Sequence, residues 1–152
     1  MPRTGSKQLR KGRYSESNRI YFVTSSTYKR RVVFDDFGLG RTLVKELSVE
    51  QSRGDLLSLA FVIMPDHFHW LIQLNEGANL SQCMQRTKSR SARALNLRIG
   101  SSGRIWQDGY YDHALRRDED VAGIARYIVA NPLRARLVTT VRDYPFWDAI
   151  WV

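Results

Sequence analysis

The chain has 152 residues, a length that suits one globular domain. Its hydrophobic fraction of 43% is too high for general disorder. No run approaches the roughly 18 apolar residues of a membrane span, and the basic start leads into no apolar core, so neither a membrane protein nor a secretory signal is expected. The single cysteine, Cys83, excludes an internal disulfide and suits a reducing, cytoplasmic location.

The charge balance favours a polyanionic partner, because 24 Lys and Arg against 15 Asp and Glu give a net charge of +9. The surplus lies in two clusters that could bind phosphates. The first is an arm at residues 1–19, rich in Gly, Ser and Arg, with candidate DNA contacts at Arg3, Lys7, Arg10, Lys11 and Arg13. The second has no acid within it, and its candidates are Arg86, Lys88, Arg90 and Arg93. The alternative is a solvated surface with no partner.

The first half of the chain predicts a strand, a helix and a hairpin. Residues 20–24 are β-branched and aromatic, which indicates a strand, and residues 36–50 have apolar positions at helical spacing. Residues 56–64 are apolar except for Ser58 and predict a buried central strand. After a Pro-Asp turn, residues 67–74 return as its antiparallel partner.

The second half predicts two more helices. The first spans residues 79–99, a short strand follows within 106–116, and a second helix covers 121–130 behind three acids and ends before Pro132. The aromatic tail at 144–152 is expected to dock on the body. Strands interspersed with helices, without a regular parallel series, predict an α+β domain over residues 20–152, with helices packed on an antiparallel sheet.

Two of the three histidines stand on one face of the predicted strand 67–74. Side chains at positions i and i+2 share a face, so His67 and His69 are neighbours while Phe68, Trp70 and Ile72 form an apolar row behind them. Both rings could reach one divalent metal ion. The alternative is a pair of histidines on a partly exposed sheet face.

The helix at 121–130 offers a possible nucleophile. Tyr127 and Asn131 are four residues apart, so a helix would deliver a phenol oxygen and an amide oxygen to one place. Tyrosine in general has a pKa of about 10, and a nearby metal or basic group makes covalent catalysis feasible. Alternatively, Tyr127 is a core-edge aromatic and Asn131 caps the end of the helix.

Together these motifs resemble a known family. The segments Met64-Pro65-Asp66-His67-Phe68-His69-Trp70-Leu71 and Ala125-Arg126-Tyr127-Ile128-Val129-Ala130-Asn131-Pro132 are similar to those of single-tyrosine transposases of the HUH superfamily. The resemblance is closer to the branch linked to repetitive extragenic palindromes (REP), and it extends over almost the whole chain.

The resemblance implies a ferredoxin-like fold, with a central antiparallel sheet and helices on one face. It implies that His67 and His69 hold a divalent metal, Mg²⁺ or Mn²⁺, that Asn131 is a third ligand, and that Tyr127 is the nucleophile. His113 is left outside this set.

The implied activity is the cleavage and rejoining of single-stranded DNA at REP-like hairpins with a short guide sequence, through a 5′-phosphotyrosine. The enzyme would work beside the chromosome in the cytoplasm, as a monomer or a homodimer. Two alternatives stay open: a nucleic-acid-binding module without chemistry, and a nuclease in which water attacks.

Overall fold

The computed structural model of the chain describes residues 19–116 and 119–150. Its described strands are β1 (Ile20–Ser26), β2 (Leu56–Met64), β3 (His67–Leu74), β4 (Tyr111–Ala114) and β5 (Trp147–Ala149). Its helices are α1 (Phe37–Ser52), α2 (Leu80–Ile99), α3 (Val121–Val129) and the single turn α4 (Asn131–Arg134), with short 3-10 turns at Tyr28–Arg30 and Val141–Asp143. The strands and helices predicted from the sequence are all present, with bounds that differ by a few residues.

The described strands form one antiparallel sheet in the order β4-β1-β3-β2-β5. Helix α1 connects β1 to β2, and α2 connects β3 to β4. This βαββαβ order is that of a ferredoxin-like fold, and β5 extends the sheet beyond β2. The predicted α+β, ferredoxin-like class is confirmed.

One face of the sheet carries the core under α1 and α2. Phe68, Trp70 and Ile72 of β3 are fully buried there, and the two helices contact each other above them. The indole N–H of Trp70 donates to the Ser58 hydroxyl (2.9 Å), which explains the one polar residue in the apolar run of β2. The predicted apolar row is therefore the core side of the sheet.

Helix α3 lies on the opposite face. Val62 and Ala60 pair with His69 and Leu71, so all four side chains share that face. Three of them, the apolar ones, are buried, and α3 contacts β2, β3 and β5. The expectation of helices on one face therefore holds for α1 and α2, and α3 covers the β2–β5 part of the histidine face.

The helices begin at side chains that accept backbone hydrogen bonds. The cap residues Asp36, Asn79 and Asp120 each accept from the N–H group three residues further on. Helix α3 stops at Val129, and Pro132 lies in the first turn of α4, where a proline costs no hydrogen bond. In the described part of the chain, none of these helices is long and apolar enough to cross a membrane.

The tail docks on the body, as predicted, up to the last described residue. Strand β5 pairs with β2, and the buried Tyr144 hydroxyl donates to the carbonyl of Ile63. Burial raises the pKa of Tyr144 to about 12. The ring of Phe146 lies so close to Gly40 of α1 that no side chain would fit there. The tail thus joins the sheet to α1.

Candidate active site

The two histidines lie side by side on β3, between β1 and β2. Their ring centroids are 4.9 Å apart and the ring planes meet at 75°. Phe68, between them in sequence, is buried on the opposite face and anchors the strand. The pair is therefore held on a rigid part of the sheet, with both rings close enough to share one ion.

Each imidazole is oriented through its Nδ1 atom. The Nδ1 of His67 lies 2.7 Å from Oδ1 of Asp66, and the Nδ1 of His69 lies 2.7 Å from Oγ1 of Thr24. In metalloproteins, such partners fix the tautomer and the orientation of ligand histidines. Both Nε2 atoms remain for a cation, so the donor set fits a divalent metal.

The local charges favour that use. Burial, with smaller contributions from the charges of His67 and Arg134, lowers the pKa of His69 to about 4, so the ring is neutral at neutral pH. Burial raises the pKa of Asp66, but its hydrogen bonds with Arg30 and His67 outweigh this and the net shift is downward. Neutral His69 is the form that binds metals, and ionised Asp66 is the form that holds His67.

Tyr127 lies on α3 with 57% of its surface exposed, so it is not buried as a core-edge aromatic would be. The guanidinium carbon of Arg134 stacks 3.8 Å from the centre of its ring, and Nη2 of Arg134 donates to the Tyr127 carbonyl (2.9 Å). The charge of Arg134 also reaches His69, where it contributes to the lowered pKa. Arg134 therefore places a positive charge directly on the Tyr127 ring.

The structure separates Asn131 from the helix of Tyr127. Helix α3 ends at Val129, and Asn131 begins α4, so the two residues are not on one continuous helix. The amide nitrogen of Asn131 donates to the carbonyl of Ile128 (3.0 Å), which matches the capping alternative. Its use as a ligand would fall on Oδ1 and stays a prediction.

The predicted basic surface on α2 is in part an internal ion-pair network. Arg86 contacts Glu50 at 2.9 Å and Asp55 at 2.7 Å, and Arg90 contacts Glu46 at 2.6 Å and Glu50 at 3.0 Å. Glu50 is fully buried. The cluster has no acid within its own segment, but α1, which packs beside α2, supplies acidic partners for Arg86 and Arg90.

The other predicted DNA contacts differ in setting. The ammonium group of Lys88 donates to the carbonyls of Gln107 (2.7 Å) and Gly109 (2.6 Å) and so holds that loop on α2. Arg93 is exposed on the same helix and stays a predicted DNA contact. The predicted contacts in the arm lie outside the described residues: Arg3, Lys7, Arg10, Lys11 and Arg13.

A second group of possible metal ligands consists of Glu50, Asp55 and Cys83, whose ligand atoms lie within 4.8 Å of one another. Nη2 of Arg86 contacts all three, including the sulfur of Cys83 at 3.4 Å. Burial also raises the pKa of Cys83 to about 11. A guanidinium already supplies the positive charge there, so the histidine pair is the better candidate metal site.

A groove adjoins His69 on the β1–β4 side. It has a volume of about 270 Å³ and is lined by Phe22, Thr24, Tyr111, Asp112 and His113. Phe22 meets His69 edge-on, with 5.4 Å between the ring centroids. His113 is part of this groove wall, and its Nε2 atom lies 2.9 Å and 3.0 Å from the two carboxylate oxygens of Glu119.

Sequence reasoning missed three residues of this site. Asp66 directly precedes His67, so it could have been proposed as the partner of that ring. Thr24 faces His69 only because β1 pairs with β3 in the observed register, and Arg134 reaches Tyr127 only because α4 begins after α3 stops. Neither contact has a local sequence signal.

Comparison with known proteins supports a common origin for this arrangement. Residues 15–131 match the model of a family described as IS200-like transposases. A REP-associated tyrosine transposase of Escherichia coli is 32% identical over 88 residues, and a Haemophilus influenzae protein that carries this description provisionally is 33% identical over 100. The matches cover 57% and 59% of this chain and 50% and 56% of those proteins, so the chain spans about half the length of these relatives.

Solved structures share the fold. A REP-associated tyrosine transposase bound to a REP hairpin superposes with a TM-score of 0.72 at 25% identity, covering 89% of this chain and 79% of that one. A Deinococcus radiodurans protein solved under the general description of a transposase gives a TM-score of 0.52 at 22% identity, covering 72% and 87%. The second likeness concerns the fold alone.

Proposed function

The chain belongs to the IS200-like transposase family, and from this we propose that it cleaves and rejoins single-stranded DNA at palindromic hairpins through a covalent tyrosine intermediate. The observation that carries the proposal is the histidine pair, with both Nδ1 atoms held by Asp66 and Thr24 and both Nε2 atoms left for a cation. The exposed Tyr127, with its arginine partner, supplies the nucleophile.

His67 and His69, with Asn131 as a third donor, would hold Mg²⁺ or Mn²⁺, which would neutralise charge on a non-bridging phosphate oxygen. Tyr127 attacks the scissile phosphorus. A bond forms from its phenol oxygen to phosphorus, the bond from phosphorus to the 3′ oxygen breaks, and that oxygen leaves with a proton as a free 3′-hydroxyl. The phenol proton passes to solvent. Attack by another 3′-hydroxyl reverses these steps and rejoins the strand.

The substrate we propose is a REP-like hairpin with an adjoining single strand, because a REP-associated tyrosine transposase with the same fold is bound to a REP hairpin. The exposed Arg93, together with the basic residues of the arm, would contact phosphates. The groove beside His69, with Phe22 and Tyr111 in its walls, has the aromatic character that stacks on unpaired bases. The protein would act as a monomer or a homodimer.

The test is a covalent adduct assay. The protein is incubated with Mn²⁺ and a 5′-labelled or 3′-labelled hairpin oligonucleotide, and the products are separated in denaturant. We expect a protein adduct that carries only the 3′ label, since the tyrosine retains the 5′ phosphate of the downstream fragment. Tyr127→Phe should bind the DNA and form no adduct.

Each alternative has its own outcome. Cleavage by the wild-type protein without an adduct would indicate a nuclease that uses water. Binding without cleavage would indicate a nucleic-acid-binding module. An adduct that persists in Tyr127→Phe would exclude Tyr127 as the nucleophile.

A further inference from the structure

Arg134 contacts Tyr127 through both the aromatic ring and the backbone carbonyl. Its guanidinium carbon lies 3.8 Å from the centre of the Tyr127 ring, and Nη2 donates to the Tyr127 carbonyl at 2.9 Å. The stacking fixes the ring, and the hydrogen bond fixes the guanidinium. The Tyr127 side chain and the Arg134 guanidinium are therefore held together.

The backbone around Arg134 is built to hold this position. The turn α4 starts at Asn131, and it closes with bonds from Arg136 N–H to Leu133 (3.1 Å) and from Leu137 N–H to Pro132 (2.9 Å). Arg136 adopts a left-handed backbone with a φ of 60°, which this type of closing turn requires. Such a closed turn gives the exposed arginine a defined point of attachment.

The chemistry of the reaction needs a group of this kind. A phosphodiester gains negative charge at its oxygens as the phenol attacks, and a guanidinium presents five N–H donors in a plane that matches phosphate. The contact with Tyr127 uses one of these donors.

We propose that Arg134 is a catalytic residue that holds the scissile phosphate against Tyr127 and offsets the charge that develops there. This inference rests on the proposed function of the site. It predicts that the loss of the guanidinium slows the chemical step far more than it weakens DNA binding. Lysine keeps the charge but cannot stack or bind phosphate with two parallel hydrogen bonds, so it should restore only part of the rate.

The experiment compares Arg134→Gln, Arg134→Lys and the control Arg126→Gln. Arg126 is a second exposed arginine next to Tyr127 in sequence, 66% exposed and 3.6 Å from Asp120. Single-turnover adduct formation is measured at saturating hairpin DNA with Mn²⁺, the DNA dissociation constant is measured in a Tyr127→Phe background, and melting curves monitor folding. Arg134→Gln should slow adduct formation about 100-fold, with the DNA affinity changed only a few-fold. Arg126→Gln should match the wild type.

Chemical rescue separates a catalytic role from a structural one. Added guanidinium ion, against equal NaCl, should restore part of the rate to Arg134→Ala and leave Tyr127→Phe inactive. The proposal is overturned if Arg134→Gln forms the adduct within about threefold of the wild-type rate, if its defect vanishes at saturating DNA, or if Arg134→Ala melts early and guanidinium does not rescue it. A wild-type protein that forms no adduct would contradict the proposed function itself. A wild-type adduct together with an unimpaired Arg134→Gln variant would contradict only the role of Arg134, so the two failures can be told apart.

Discussion

At the scale of single residues, the site depends on hydrogen bonds behind the histidines. Thr24 and Asp66 occupy the Nδ1 atoms of His69 and His67, each at 2.7 Å. Without these partners each ring could rotate or exchange its tautomer, so neither Nε2 atom would be held in place for a metal ion. The two partners differ in chemistry, because a hydroxyl holds the ring of His69 and a carboxylate holds the ring of His67.

Replacement of Thr24 should weaken metal binding while the fold persists. Thr24→Val has nearly the same shape but lacks the hydroxyl that meets His69, so we expect Mn²⁺ affinity to fall roughly 10-fold or more. Isothermal titration calorimetry measures the change. The matched control is Thr42→Val, which also removes one threonine hydroxyl. That hydroxyl donates to the Gly38 carbonyl within α1 and not to a histidine. Equal Mn²⁺ affinities in the two variants would contradict this role.

His69 should also make stability depend on pH. Its pKa in the folded protein is about 4 against an ordinary value of 6.5, so between these values the unfolded chain binds a proton that the folded protein does not. The free energy of unfolding contributed by His69 is therefore present above pH 6.5 and is lost as the pH falls toward 4. The loss should be on the order of 3 kcal/mol.

Urea unfolding at a series of pH values measures this effect. The wild-type protein should lose more stability between pH 7 and pH 4.5 than His69→Gln, which has no proton to take up at this position. Parallel curves for the two proteins would show that burial does not suppress the charging of His69.

At the scale of elements, α1 and α2 are joined by charge as well as by apolar packing. The buried Glu50 has two arginine partners on α2, and the removal of one leaves a carboxylate with incomplete compensation. The same helix also carries Arg93 on its exposed side. One basic helix therefore combines structural arginines with an exposed one, Arg93, that can contact a ligand, and the sequence does not separate the two kinds.

A comparison of Arg86→Gln with Arg93→Gln tests this division. Arg86→Gln should lower the free energy of unfolding by about 3 kcal/mol, because Glu50 and Asp55 lose a partner. Arg93→Gln should leave stability within about 0.5 kcal/mol of the wild type and reduce the salt dependence of DNA binding by about one phosphate contact. Denaturant titration and binding at several salt concentrations measure both. Equal stability of the two variants would contradict the structural role of Arg86.

At the scale of the whole molecule, the sequence predicts the layers but not the contacts between distant elements. Alternation along β3 predicted which side chains form the core and which pair of histidines faces outward, because a strand has a period of two. The positions of Thr24 and Arg134 depend on strand register and on the path after α3, which no local pattern contains. The acidic partners of Arg86 were missed for the same reason, since they lie on another helix.

The most direct test of the account is to identify the residue that becomes linked to DNA. The adduct formed with Mn²⁺ and a hairpin oligonucleotide is digested with nuclease and protease, and the modified peptide is sequenced by mass spectrometry. We predict a 5′-phosphonucleotide on Tyr127 and on no other of the seven tyrosines. A nucleotide on another residue, or hairpin cleavage that leaves every tyrosine unmodified, would contradict the central claim.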